Sequence, residues 1–154
     1  MKAPAKKSCA EVPLEGRLFV AILKCADGLS QDAEQLIKSH GLTGAQYNVL
    51  RILRGAGKDG ASCKDIGSRM VARDPDITRL MDRLEQRGLL TRDRAREDRR
   101  IVTHRLSEAG LELVNALDGP IEAVHRRTLG RMKAQKLRDL VGLLEEIRAG
   151  IQNV

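Results

Sequence analysis

The chain has 154 residues, room for one domain or for two small lobes sharing a core. Its 28 Lys+Arg against 21 Asp+Glu leave a net charge of +7 and a pI near 9.7. Hydrophobics at 42% and charges of both signs at 32% fit a globular chain and exclude a disordered tail. The longest apolar run, Leu18 to Leu23, stops at Lys24, far short of the roughly 20 residues that a membrane span needs.

The basic start, MKAPAKKSCAEVPLEG, is not followed by the apolar stretch of a signal peptide, so the chain reads as cytoplasmic. Cys9, Cys25 and Cys63 are odd in number and widely spaced, which argues against a disulfide framework. His40, His104 and His125 lack the helical spacing of a metal site, and no metal or cofactor is expected. Phe19 and Tyr47 are the only aromatic residues, too few for the stacking platforms of single-strand binders. A basic domain without aromatics points instead to duplex DNA.

Residues 1–13 read as a flexible basic tail. From Leu14 the apolar residues recur at three- and four-residue steps through Leu18, Ala21, Ile22, Cys25 and Leu29, predicting a first helix over 14–39 that Gly28 weakens. Thr43 caps a second helix carrying Tyr47, Leu50, Ile52 and Leu53, which ends at Gly55-Ala56-Gly57. Ser62 caps a short third helix with Ile66 and Met70 as its apolar pair. After a turn, Asp74 and Pro75 have the character of an N-cap and first helical residue, predicting a fourth helix over 75–87 that buries Ile77, Leu80, Met81 and Leu84. Two short helices joined by a tight turn suggest a helix-turn-helix.

The period then changes. Residues 89–92 and 101–106 read as short strands around a charged tip at 93–100, a hairpin wing beside the helix pair. Ser107 caps a fifth helix that continues past Gly119-Pro120, where a kink is expected, and a last helix carries Leu137, Leu140, Leu144, Ile147 and Ile151. The expected organisation is mainly α with a small β-hairpin. A winged helix-turn-helix lobe over 40–106 is flanked by an N-terminal helix (14–39) and C-terminal helices (107–154). The flanking helices have more apolar positions than one small lobe covers, the pattern of a homodimer.

With the apolar face of the fourth helix turned inward, Asp76, Thr78, Arg79, Asp82, Arg83 and Gln86 face other ways. An arginine near the start of such a helix reaches guanine O6 and N7 with both arms, and Arg79 stands there; Arg83, one turn on, suits phosphate. Pro75 and the helix N-terminus lie where backbone amides or close packing meet DNA. Asp76 fits two roles, acceptor for cytosine N4 or first-turn acid on the helix dipole, and the second is favoured because acids near phosphates are costly. Taken alone, this stretch is equally an ordinary surface paired as Arg79–Asp82. The wing tips the balance. Residues 91–105 carry six arginines (Arg92, Arg94, Arg96, Arg99, Arg100 and Arg105), no lysine and three acids, a composition suited to a narrow minor groove, with Asp98 able to hold a neighbouring guanidinium.

Leu42-Thr43-x-x-Gln46, then the run from Asp76 through Thr78-Arg79-Leu80 and Leu84-Glu85 to Gly88-Leu89-Leu90, then Asp98-Arg99-Arg100 and Leu106-Ser107-x-x-Gly110 follow in order. Over about residues 40–117 this resembles the multiple-antibiotic-resistance regulator (MarR) family of winged-helix transcription factors. The resemblance implies a homodimer clasped by its terminal helices on pseudo-palindromic operators, usually as a repressor. It implies Pro75, Asp76, Thr78 and Arg79 on the major groove, Arg100 in the minor groove and Asp98 bracing the wing. It also implies release by a small, often aromatic or phenolic effector between the dimer region and the DNA lobe. Leu18, Ile22, Tyr47 and Leu111 are candidate pocket residues and equally plain core.

The peroxide-sensing branch of that family places a reactive cysteine near the start of the first helix. Phe19 stands there in this chain, with Ala33 and Gly44 at the partner tyrosine positions. Cys63, beside Lys64 near a helix N-terminus, has a setting that lowers a thiol pKa and is a candidate redox residue; the competing reading is a small structural cysteine. No phosphate loop, nucleophile elbow or HExxH appears, so an enzyme is not expected. Two other readings stay open: a sequence-independent architectural DNA binder and a winged helix used only for protein contacts.

Overall fold

Thr43 begins the helix at the centre of the lobe through a reciprocal cap. Its hydroxyl accepts from Gln46 N at 3.2 Å while the Gln46 side chain accepts from Thr43 N at 2.9 Å. The computed structural model describes residues 12–72, 74–94 and 102–152 of the chain. Helix α1 (Leu14–Ser39) leads into α2 (Gly44–Ala56), a 3-10 turn at Gly57–Asp59, α3 (Cys63–Arg69) and α4 (Ile77–Gln86). Strands β1 (Leu90–Arg94) and β2 (Val102–Leu106) form an antiparallel hairpin, and α5 (Glu108–Leu129) and α6 (Ala134–Gln152) close the described chain.

Helix α2 is buried on most of its circumference through Tyr47, Val49, Leu50, Ile52 and Leu53. Around it pack Ile37 from α1, Ile66 from α3, Leu80, Met81 and Leu84 from α4, and Val114, Leu117 and Ile121 from α5. Each of the fully buried Leu50, Leu53, Met81 and Leu84 contributes about 2 kcal/mol by leaving water. The wing is pinned to this core from below: Ala61 exchanges both backbone hydrogen bonds with His104, at 2.9 and 3.0 Å, as a one-residue third strand. That bridge was not among the sequence expectations, because one residue shows no period.

The start of the fourth helix differs from the expectation. The fourth helix does not open with Asp74 as N-cap and Pro75 as first residue; Asp76 is the cap and Ile77 the first residue. The Asp74 carboxylate instead accepts from Asp76 N at 2.8 Å, a side-chain-closed turn that holds Pro75 and is complete before the helix begins. Helix α1 spans Leu14 to Ser39 as expected, continuing through Gly28. Helix α5 also runs on through Pro120 to Leu129.

Gly110 explains one motif position. A Cβ there would lie 3.0 Å from the Leu89 carbonyl carbon, 3.2 Å from Leu106 Cδ2 and closer still to the Leu89 oxygen. The first turn of α5 therefore rests on the backbone at the wing's entry. Ser107 ties the same junction, its hydroxyl donating to Gly88 O at 2.6 Å and accepting from Gly110 N at 3.0 Å.

The N-terminal half of α1 and all of α6 add nothing to the core. Leu14, Leu18, Phe19 and Leu23 on α1, and Leu140, Val141, Leu143, Leu144, Ile147 and Ile151 on α6, are large apolar side chains left exposed. No helix among the described residues is long and apolar enough to cross a membrane.

Candidate nucleic-acid interface

Helix α4 separates two chemistries. Leu80, Met81 and Leu84 are buried, while Thr78, Arg79, Arg83 and Gln86 stand exposed on the other side, with Pro75 and Asp76 exposed at its start. Asp76 caps the helix by accepting from Arg79 N at 3.3 Å, and its second oxygen lies 3.5 Å from the Arg79 guanidinium. The acid thus serves the helix start and orients Arg79 beside it. The Arg79–Asp82 pairing weighed from the sequence does not form, because Asp82 is engaged elsewhere.

That engagement joins wing to helix. Arg92 on β1 donates to Asp82 and lies 3.3 Å from Glu85, both on α4. These carboxylates hold the Arg92 guanidinium firmly protonated. Arg105 on β2 pairs with Asp93 and donates to Lys58 O. Two of the six wing arginines are therefore structural braces. The remaining wing assignments, Arg96, Asp98, Arg99 and Arg100, lie outside the described residues, and so does the side chain of Arg94.

Behind Arg92, buried His104 meets half-buried Cys63, a pairing that sequence reasoning did not bring together. His104, opposite Arg92 in the hairpin register, is 1% exposed, and its Nδ1 lies 4.0 Å from Cys63 Sγ. Burial, then the Arg92 charge, pushes the His104 pKa down. Burial likewise pushes the Cys63 thiol up, with Arg92 pulling the other way. The depressed thiol pKa expected from Lys64 and the α3 N-terminus is therefore absent, since desolvation outweighs the nearby charge. The signal for this pair was the two-residue period: Leu90 and Arg92 share one face of β1, opposite Leu106 and His104 on β2.

A cavity of about 660 Å³ opens between α1, α2, α5 and the turn at Met70–Ala72. Leu29, Ala33, Tyr47 and Ile121 make it mainly apolar, and Asn48, Arg51 and His125 supply polar groups. The Arg51 guanidinium lies 5.9 Å from the centre of the Tyr47 ring. Of the four pocket candidates, Tyr47 lines this cavity. Leu111 lines a separate cleft of about 450 Å³ beside β2, and Leu18 and Ile22 lie on the outer half of α1, away from both. Among the described residues, no group of three His, Cys, Asp or Glu side chains is placed to hold a metal ion.

Comparison with known proteins agrees with this geometry. A family model described as "MarR family" matches residues 40–101. A homoprotocatechuate degradative operon repressor of Escherichia coli is 29% identical over 132 residues, covering 86% of this chain and 88% of its own. The crystal structure of a MarR transcription factor from Planctomyces limnophilus is 36% identical, with a TM-score of 0.67 over 88% of this chain and 98% of that one. CouR from Rhodococcus jostii, solved bound to p-coumaroyl-CoA, is 22% identical with a TM-score of 0.76, covering 89% of this chain and 95% of its own.

Proposed function

The chain belongs to the MarR family of DNA-binding transcription regulators, and from that premise we propose that it is a sequence-specific repressor. It binds pseudo-palindromic duplex operators as a homodimer and is released by a small aromatic or phenolic effector. The observation that carries the reading is the division of α4, whose buried side fixes the helix while Thr78, Arg79 and Arg83 stay free of the core. Arg79 reads a base edge and Arg83 meets phosphate. The wing arginines Arg94, Arg96, Arg99 and Arg100 approach the minor groove while Asp98 braces the wing, and Pro75 and Asp76 border the major groove.

The exposed apolar faces of α1 and α6 support the dimer, since stripes of that size are seldom left to water. Paired lobes then read half-sites about one helical turn apart, roughly 10 bp. The mainly apolar cavity, with Ser30, Glu34, Asn48, Arg51 and His125 as its polar lining, supports the effector. CouR, with p-coumaroyl-CoA bound, shows a protein of this fold holding a phenolic thioester.

The test is fluorescence anisotropy on duplex DNA from upstream of the chain's own gene, against a scrambled duplex, across about 50–200 mM salt. Tight, salt-sensitive binding with a large preference for the upstream fragment is expected. Equal binding to both would favour an architectural binder, and binding to neither would favour a protein-contact module.

A further inference from the structure

The turn at Met70–Ala72 belongs to two structures at once. It forms one wall of the 660 Å³ cavity, and it is the approach to the Asp74 turn and the Asp76 cap from which α4 starts. Met70 is half-buried and packs against the core, whereas the Val71 side chain is 92% exposed and anchors nothing. The Val71 backbone is held instead: its N–H donates to Asn48 Oδ1 at 2.8 Å. Asn48 sits in α2 between the buried Tyr47 and Val49, on the most firmly packed helix of the lobe, and itself lines the cavity. One amide oxygen thus ties the approach to α4 to the rigid centre of the fold, from a position open to whatever fills the cavity.

We propose that Asn48 is the positioning residue for α4, and that its bond to Val71 is the contact a cavity occupant displaces. This rests on the reading above that the cavity takes an effector. A ring hydroxyl near the cavity wall competes by donating to the Asn48 oxygen, which leaves the Val71 N–H without its acceptor. The turn then loses its tie to α2, and α4 leaves the setting in which Arg79 meets a base edge. Phosphate contacts tolerate such a shift better than base contacts do, so preference for the operator falls before general affinity for DNA.

Three variants of the full chain test this. Asn48→Leu keeps the size and removes the acceptor, Asn48→Ala removes it without bulk, and Asn48→Asp keeps an acceptor oxygen. Two readouts are taken: amide hydrogen exchange in the DNA-free protein, and the ratio of anisotropy-derived Kd values for the upstream and scrambled duplexes. Asn48→Leu and Asn48→Ala are expected to speed exchange at Val71 and to lower the operator preference about fivefold, as loss of one hydrogen bond does. Asn48→Asp restores both; its added charge weakens both duplexes alike and cancels in the ratio. Unchanged Val71 exchange in Asn48→Leu and Asn48→Ala would overturn the proposal, as would faster exchange with an unchanged ratio. If the wild type prefers neither duplex, the repressor reading fails, while the exchange data still decide whether Asn48 holds the turn. With 3,4-dihydroxyphenylacetate or p-coumaroyl-CoA as probe, release of wild type from operator should bring faster Val71 exchange. Release without it would overturn the route through Asn48.

Discussion

Gly110→Ala converts the packing of α5 on the wing into a measurable stability. The added methyl falls 3.0 Å from the Leu89 carbonyl carbon and 3.2 Å from Leu106 Cδ2, closer than side chains ordinarily pack, with the Leu89 oxygen nearer again. The Leu106 side chain can turn aside, but the Leu89 contacts are backbone and cannot yield without moving the helix or the wing. Overpacking of this kind costs about 1–3 kcal/mol. Moving the first turn of α5 outward also stretches the Ser107 hydroxyl cap on Gly110 N, worth about 1 kcal/mol. Alanine's better helix propensity returns about 0.5–1 kcal/mol, so the net loss is about 2 kcal/mol. At roughly 2–4 °C per kcal/mol for a chain of this size, Tm falls by about 4–8 °C. The assay is a thermal melt followed by far-UV circular dichroism at fixed protein concentration, because association would make Tm concentration-dependent. Gly28→Ala is the control: its Cβ meets nothing within 4 Å, so propensity alone acts and Tm rises by about 1–4 °C. A Gly110→Ala protein melting at or above the wild-type temperature would refute the packing argument.

Three further outcomes are expected. Burial holds the folded-state pKa of His104 below the unfolded value of 6.5, so its contribution to stability is complete above that value. It is lost as pH falls below 6.5 and the unfolded chain takes up a proton that the folded chain refuses. Tm should therefore drop more between pH 7.5 and 5.5 in wild type than in His104→Gln, and parallel profiles would contradict this. Arg79→Ala should lower the preference for operator over scrambled duplex by about 1–3 kcal/mol, read from paired anisotropy titrations, with little change on the scrambled duplex. The half-buried setting of Cys63, which raises its thiol pKa, predicts slow alkylation at neutral pH: in a short iodoacetamide pulse read by mass spectrometry, the exposed Cys25 should be modified before Cys63, and equal rates would show that Cys63 is more open than its setting implies.

What the sequence disclosed followed from strong local signals. Thr43, Ser62 and Ser107 stand directly before apolar-periodic runs, and each caps its helix as expected. The start of α4 was misplaced because Asp74 and Asp76 are both competent caps flanking a proline. A carboxylate that closes its own turn is indistinguishable by residue type from one that begins a helix. The exposed face of α4 was legible because its apolar stripe is unambiguous. The fate of individual arginines was not: Arg92 and Arg105 look like their neighbours in a basic hairpin until cross-strand register places acids within reach. The cavity was the least accessible feature, since its wall comes from three helices and a turn that meet only in the folded chain. Tyr47 alone among the four pocket candidates lines it.

The division of α4 also has a consequence for how such a regulator diversifies. Thr78, Arg79, Arg83 and Gln86 sit outside the core, and exchanges at surface positions of that kind usually move stability by less than about 0.5 kcal/mol. Asp82 and Glu85, by contrast, are committed to Arg92 and through it to the wing. A duplicated copy of this gene can therefore drift in the word it reads while keeping the grammar that holds the reader in shape. New operator preferences then arise one substitution at a time, through descendants that all still fold.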